Sequence, residues 1–575
     1  MRRAGRAAAT LAGLVGVATI VAGCGSGGNG NSPTEQTTAN VGQNQIKNVP
    51  YDQVAQGGNL NYPVSAAIVQ FNTNELDGNT LDAVNVMDAL MPTLFLTDAV
   101  NNFRFNPDYL TGEPAVTTVN GHQTVTYEIN PKAKWLSGPQ ISAQDFIAQW
   151  KALNGKNPAY KPVTTTGYDD VTSVVQGKNA QEVVVTFNKP FGEWRSLFEL
   201  LYPASTNNNP NTFNTGWATK PIDSAGPFQF ASLDSKAQTY TIKPNPGWWG
   251  QKPKLASITY RAIDPAAQAG ALNNNEIDFL DVGPDAATYA QVRSFPGVDL
   301  RVAGGPNFRH ITVNGSSPMI SDLTTRQALS MAIDRNAIAK AMLTPLGIRN
   351  ASALNNHIYM KNQVGYQDNS APTGVYNPAK AAQMLTQQGW VVSGANRVNS
   401  GSVPATASMK GKQLKINFVI PSGVPVSLNE AKLIQAQLKQ VNVAVDINTV
   451  DINHFFDQYV SLGQFDMTVF SYIGTSFPIS GSAGTYLNKV GDSWNANFSR
   501  VGTPEIDQAL NTALQQLDQK QAIVQANNAD KLIWNEVMVL PTYQRPDIWA
   551  VRNNVVNFGA FGFATPNYTM MGFAK

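Results

Sequence analysis

Residues able to do chemistry are few and widely spaced in this sequence. Cys24 is the only thiol among 575 residues. It can close no internal disulfide, and directly after Val21-Ala22-Gly23, at the end of an apolar run, it is not expected to be a catalytic or core group. His122, His310, His357 and His454 are scattered, with no two at metal-ligand spacing on a shared helix, so no metal site is expected. Trp248 and Trp249 are adjacent indoles of the kind that stack on sugars, although packing in a turn is the preferred reading of the pair. There is no G-x-x-x-x-G-K-[ST], H-E-x-x-H, C-x-x-C or G-x-S-x-G. No pair of carboxylates is identifiable as acid and base, so the chain is expected to be no enzyme and to need no cofactor.

The elements that would position a binding site begin beyond the first 55 residues. Arg2, Arg3 and Arg6 precede an apolar run of about 15 residues ending at Val21, the length of a signal peptide and too short for a confident membrane span. Arg2-Arg3 lacks the rest of a twin-arginine pattern, so general secretion is expected. Val21-Ala22-Gly23-Cys24 is similar to a bacterial lipobox, which makes residues 1–23 a leader and Cys24 the lipidated first residue of the mature chain. From Gly25 to about Gln53 there is almost no large apolar residue, and residues 24–55 are expected to be a flexible tether.

Composition limits what the remainder can be. The length calls for several domains. The hydrophobic fraction is 42% and the charged fraction only 14%, so the folded surface should be polar but weakly charged. The formal charge of +2 rests on 41 basic and 39 acidic residues and becomes slightly negative without the three leader arginines. No electrostatic footprint for nucleic acid remains.

Periodicity places strands and helices alternately through the second half. Ile311–Leu343 reads as a strand, a break at Asn314-Gly315-Ser316-Ser317-Pro318, a helix capped by Ser321 or Asp322, and a second helix capped by Asp334. Leu81–Leu96 has helical spacing, and Asn120-Gly121 marks a hairpin. Leu414–Ile420, Val441–Val450 and Asp466–Ser471 read as strands separated by helices at Glu430–Gln440 and Asn453–Leu462. That is a β-α-β-α-β unit and hence a parallel sheet. Ligands in such sheets sit beyond the carboxyl ends of the strands, so Ser471-Tyr472-Ile473-Gly474-Thr475-Ser476 should face a cleft.

Several of these stretches together resemble one family. Asn314, then Asp322, Arg326-Gln327-Ala328-Leu329 and Ala332-Ile333-Asp334-Arg335, is similar to the central pattern of the family 5 extracytoplasmic solute-binding proteins, the oligopeptide and dipeptide receptors of ABC importers. Lys134-Trp135 through Ser142-Ala143-Gln144-Asp145 resembles the family's K-W-x-D-G-x-P-(V/I)-T-A-x-D, with Ser142 and Asp145 as a capping box. Further similar stretches are Asp223–Phe228, Asn245–Trp249, Asn275–Asp278, Tyr376–Trp390 and Leu540–Tyr543. Asn275 stands where the family has Gly, a residue that also tolerates positive φ.

The resemblance implies an α/β, two-lobe type II periplasmic-binding-protein-like fold (cluster C) with an extra subdomain in lobe one. Lobe I would comprise residues 56–100, the extra subdomain 101–216, and residues 217–307. Lobe II would be 308–540, with a return to complete the lobe I sheet at 541–575. The implied function is a lipid-anchored, extracytoplasmic, monomeric receptor that closes on a peptide-like or other small polar solute and delivers it to ABC permease subunits. The alternative is a lipoprotein of the same fold that binds a glycolipid or cell-wall intermediate and regulates its synthesis. Candidate ligand-binding residues are Tyr472 as an aromatic wall, Gly474 for backbone approach and Thr475 as a polar contact. Arg309 is a candidate anion partner, with a structural salt bridge as its other reading. Thr475 stands where the family carries the Asp that pairs with a peptide's α-ammonium, and a neutral hydroxyl cannot offset desolvation of that charge. Thr475→Asp should therefore gain affinity for peptides with free amino termini.

Overall fold

The computed structural model describes residues 44–65, 67–489, 494 and 496–575. Cys24, the leader and most of the tether lie outside them. The end of the expected tether is folded: Gln45 N–H donates to the Ala560 carbonyl at 2.9 Å, and Val54 is fully buried and bridged to Ala574. Among the described residues no helix is long and apolar enough to cross a membrane.

The first lobe starts with β1 (Asn59–Val64), whose Leu60, Tyr62 and Val64 point into the core. The following helix, capped by Thr80, covers only Leu81–Met87 rather than running to Leu96. Pro92 has no N–H to continue it. The Ala89 and Leu90 carbonyls instead accept from Phe228 and from Ala225 and Gly226. Asp88 is thereby left at the helix end.

A short hairpin follows, β2 (Phe95–Thr97) and β3 (Phe103–Phe105). Then β4 (Ala115–Val119), β5 (His122–Glu128), β6 (Val171–Gln176) and β7 (Glu182–Phe187) form an antiparallel sheet in the order β4-β5-β7-β6. Asn120 and Gly121 join the first two with φ of 51° and 82°, the left-handed pair that a tight hairpin requires. The helix Ala143–Leu153 packs on this sheet, started by the expected Ser142/Asp145 capping box. β8 (Phe228–Asp234), β9 (Thr239–Pro244) and β10 (Ser257–Ala262) join β1 in the order β1-β10-β9-β8. Asn275 adopts φ 63°, as the resemblance implied.

One large core fills this lobe, from Leu60 to Phe279, and takes in Val551, Val555, Phe558, Tyr568 and Met571 from the end of the chain. A second begins at Ala269 and holds the helices Leu323–Met331 and Arg335–Leu343, capped by Asp322 and Asp334. Between the two run β11 (Phe279–Asp281) and the long β12 (Val298–Val313). After a hairpin of β13 (Trp390–Ser393) and β14 (Asn396–Asn399), β15 (Lys415–Pro421) pairs in parallel with both β16 (Ala444–Val450) and β17 (Met467–Tyr472). This is the expected β-α-β-α-β unit. The last long strand, β18 (Val539–Arg552), completes a six-stranded sheet in the order β11-β18-β12-β17-β15-β16.

β12 and β18 are therefore shared between the lobes, and the boundaries expected at 308 and 540 each fall inside a strand. Residues beyond 541 do not extend the β1-β10-β9-β8 sheet. They pair with β11 and β12, make backbone hydrogen bonds to Gln45, Ala55 and Thr97, and lend the first lobe side chains. The register between β12 and β18 slips twice, between Arg309 and His310 and, over a longer gap, between Gly304 and Phe308. There, Gln544 donates to the Gly305 carbonyl and Asn362 to that of Gly304, at 2.7 and 3.0 Å. Such a break is where two lobes sharing strands can bend.

Candidate functional site

The loop beyond β17 was the site expected from strand topology. Tyr472 lies in it as a partly buried ring stacked on His310, centroids 3.9 Å apart and planes 14° apart. His310 is fully buried; burial, with the Arg309 charge beside it, holds its pKa well below the ordinary imidazole value. Gly474 does meet a backbone closely, but that backbone is Pro306, whose carbonyl oxygen a Cβ would strike. The glycine admits the interrupted stretch of β12 rather than a guest. The Thr475 hydroxyl accepts from Phe477 N–H at 3.1 Å and donates to the Phe477 carbonyl at 3.0 Å. The cavity beside these residues holds about 40 Å³, room for a water molecule or so.

Arg309 takes the salt-bridge reading. It is 5% exposed, and its guanidinium donates to the Glu430 carboxylate at 3.1 and 3.2 Å and to Ser427 at 3.0 Å. Tyr543 donates to the same carboxylate at 2.8 Å. A buried cation satisfied in this way has little charge left for a solute. Trp248 is likewise core: it is 3% exposed, its ring lies 4.5 Å from that of Trp249, and Trp249 donates to the Asp108 carbonyl at 2.7 Å.

A much larger chamber, about 620 Å³, lies on the other side of the lobe junction. Its walls come from the end of the Leu81–Met87 helix, the β2–β3 hairpin, the segment around Glu199, the returning chain at Phe563–Thr569, and Ser476 and Phe477 from the second lobe. The second lobe is fastened across this mouth. Phe477 stacks on Phe103 with centroids 4.9 Å apart, and Asn101 donates to the Ser476 carbonyl at 2.7 Å. Glu193, from the extra subdomain, accepts from Ile479 N–H at 3.0 Å, from Ser480 N–H at 2.7 Å and from the Ser480 hydroxyl. The acceptor thus sits on the free amides that open the Pro478–Tyr486 helix.

The charged groups of the chamber lining are mostly acids. Asp88, Asp108 and Glu199 face Arg104, the single basic residue of the lining. Burial raises the Asp88 pKa to about 7, with the neighbouring Glu199 charge adding to it, and burial likewise lifts Glu199 to about 7. Glu199 is open to the chamber itself; it is the protein walling in that space which disfavours its charge.

None of these chamber residues was singled out from the sequence, although a signal was present. Asp88 interrupts Val86-Met87-Asp88-Ala89-Leu90-Met91, and Glu199 interrupts Leu197-Phe198-Glu199-Leu200-Leu201. A lone carboxylate inside an apolar run is costly unless something requires it. Phe198 also adopts φ 62°, a left-handed conformation that a bulky residue rarely takes and that turns the following side chain out of the core. Among the described residues no cluster of three or more histidines, cysteines or acids could hold a metal.

Residues 107–494 match the family described as bacterial extracellular solute-binding proteins, family 5 Middle. The oligopeptide-binding protein OppA of Mycobacterium tuberculosis is 36% identical over 97% of this chain and 92% of its own. LpqW of the same organism, named for binding a monoacyl phosphatidylinositol tetramannoside, is 27% identical over 59% of this chain and 55% of its own. Among solved structures, the periplasmic EDTA-binding protein EppA superposes with a TM-score of 0.81 at 24% identity, covering 95% of this chain and all of the other.

Proposed function

The chain belongs to the family 5 bacterial extracellular solute-binding proteins, and we propose that it is the receptor of an ABC importer, carrying a peptide-like or other small polar solute in the 620 Å³ chamber. The observation that carries the reading is the position of that chamber. One wall, Ser476 and Phe477, belongs to the second lobe, whereas the others belong to the first and to the returning chain. Bending at the break in β12 and β18 would move Phe477 off Phe103 and expose the interior, and closing would bury the solute for transfer to the permease subunits. The likeness to OppA across nearly the whole chain supports a peptide-like solute.

The proposal includes acylation of Cys24, a monomeric body held outside the membrane by that anchor, and binding without chemical change of the solute. Replacing Cys24 with Ser should move the protein from the membrane fraction to the medium; retention at the membrane would rule out this anchor.

The glycolipid reading draws on LpqW. Size argues against it, because about 300–1,000 Å³ is the usual range of small-molecule sites and a tetramannoside with an acyl chain would need the lobes held apart. Mass spectrometry of solutes released from the purified protein separates the two. Short peptides or comparably small polar molecules are expected; a mannosylated lipid would overturn the importer reading in favour of the other.

A further inference from the structure

We infer that the chamber selects solutes carrying a cationic group, an ammonium or guanidinium, which it holds between the Asp88 and Glu199 carboxylates. The inference rests on the reading of this chamber as the solute site. Its basis is a contrast in how the protein's own donors are spent.

Three of the phenols near Asp88 spend their protons elsewhere. Tyr260 and Tyr568 both donate to the Asn85 carbonyl, at 3.0 and 2.9 Å. Tyr202 donates to the Phe71 carbonyl at 2.8 Å. Among the described residues, neither the Asp88 nor the Glu199 side chain has a hydrogen-bond or ion-pair partner. Elsewhere the chain supplies its enclosed carboxylates generously: Glu430 has Arg309 and Tyr543, Asp278 has Asn61, and Glu193 has three donors from the second lobe. Two acids left without donors on one enclosed, ligand-sized space are positioned for a donor that comes from outside.

The physics gives the guest its sign. Burial raises the cost of ionising both carboxylates and the Glu199 charge adds to it at Asp88, so without a guest both are part-protonated near neutrality. A cation between them would favour both charges, pull both pKa values down and release protons as it binds. Asp108 is also raised by burial and adds to the negative potential. Arg104 is exposed on the rim hairpin. The phenols near the pair, Tyr62, Tyr202, Tyr260 and Tyr568 for Asp88 and Tyr168 for Glu199, are all pushed above their ordinary value and stay neutral between pH 6 and 8. An anionic solute would meet three acids of the lining against the single Arg104.

The test is calorimetric titration of the full-length receptor with three N-acetylated, C-amidated pentapeptides, alanine throughout except for a central lysine, norleucine or glutamate, and with agmatine as a cation that is no peptide. At pH 8 the lysine peptide should bind about tenfold or more tighter than the norleucine one, the scale of one charge-assisted pair. Titration in buffers of different ionisation enthalpy should show protons released on binding. Asp88→Asn and Glu199→Gln, checked for folding by thermal unfolding, should each bring the two peptides to within about threefold. Equal affinity for the lysine and norleucine peptides would overturn the inference and leave the peptide-receptor reading standing. Binding of agmatine alone, lost in Asp88→Asn, would overturn the peptide reading and support the cation site. No binding of any probe would overturn both.

Discussion

Two regions at the junction of the lobes look alike in outline and differ in what their polar groups are doing. Around Arg309, Gly474 and Thr475 the groups that the sequence singled out are used by the protein itself, while the Tyr472 hydroxyl beside them is buried without a hydrogen-bond partner. Arg309 neutralises Glu430, Thr475 closes a turn on Phe477, and Gly474 makes room for Pro306. Around Asp88 and Glu199 the reverse holds: charged groups face an enclosed space with no partner from the chain. The first arrangement stabilises the junction, and the second destabilises it until a guest arrives. A binding site is thus marked less by the presence of polar residues than by their being unsatisfied.

The difference can be tested, beginning with the side where most stability is at stake. Replacing Glu430 with Gln leaves Arg309 buried without its counter-charge and should cost about 3–5 kcal/mol in denaturant unfolding, whatever solute is present. A loss under 1 kcal/mol would mean that this pair is not what holds the junction. Next, Gly474→Ala drives a methyl group into the Pro306 carbonyl and should cost about 1–3 kcal/mol. If the variant instead kept its stability and lost only solute affinity, Gly474 would belong to the binding region after all.

Glu193→Ala removes the acceptor that ties the extra subdomain to the Pro478–Tyr486 helix. It should weaken every solute by about tenfold through an easier opening, with a larger radius of gyration in solution scattering. Unchanged scattering would make Glu193 a local cap only.

The chamber carboxylates also give the protein a pH dependence of its own. Asp88 and Glu199 have folded-state pKa values of about 7, above their values in an unfolded chain, so between roughly pH 4 and 7 the folded state binds more protons than the unfolded state does. Their contribution is present at acid pH and is lost as pH rises through 7. The solute-free protein should therefore melt at a lower temperature at pH 8 than at pH 6, and Asp88→Asn should flatten that dependence. A melting temperature indifferent to pH in this window, or one that the variant leaves unchanged, would break the contrast. The smallest effect is expected at Thr475. The family's Asp at this place led the sequence reading to a gain for free-amine peptides from Thr475→Asp. In the structure an Asp there can still accept from Phe477 N–H beside a cavity of about 40 Å³, so a change of less than about threefold is expected.

Much of this was legible beforehand because it is local. The capping box at Ser142, the hairpin at Asn120-Gly121, the helix starts at Asp322 and Asp334 and the positive φ at Asn275 each depend on a few neighbouring residues. The parallel order of β15, β16 and β17 followed from strands alternating with helices. The Leu81 helix was overestimated because its end is set by carbonyls captured from residues 225–228, more than a hundred positions away. The expected lobe boundaries at 308 and 540 fall inside β12 and β18 because hydrophobic spacing marks strands without showing how far each one runs.

By itself, then, the sequence determined the family, the two-lobe α/β plan and the caps and turns, all of which rest on periodicity or on side chains a few residues apart. Tertiary structure alone decided which charges are spent and which are free, since Arg309 meets Glu430, and Asp88 and Glu199 come to line one chamber, across more than a hundred residues. Satisfaction of a buried charge is a property of the space around it, and neither residue type nor spacing along the chain records that space.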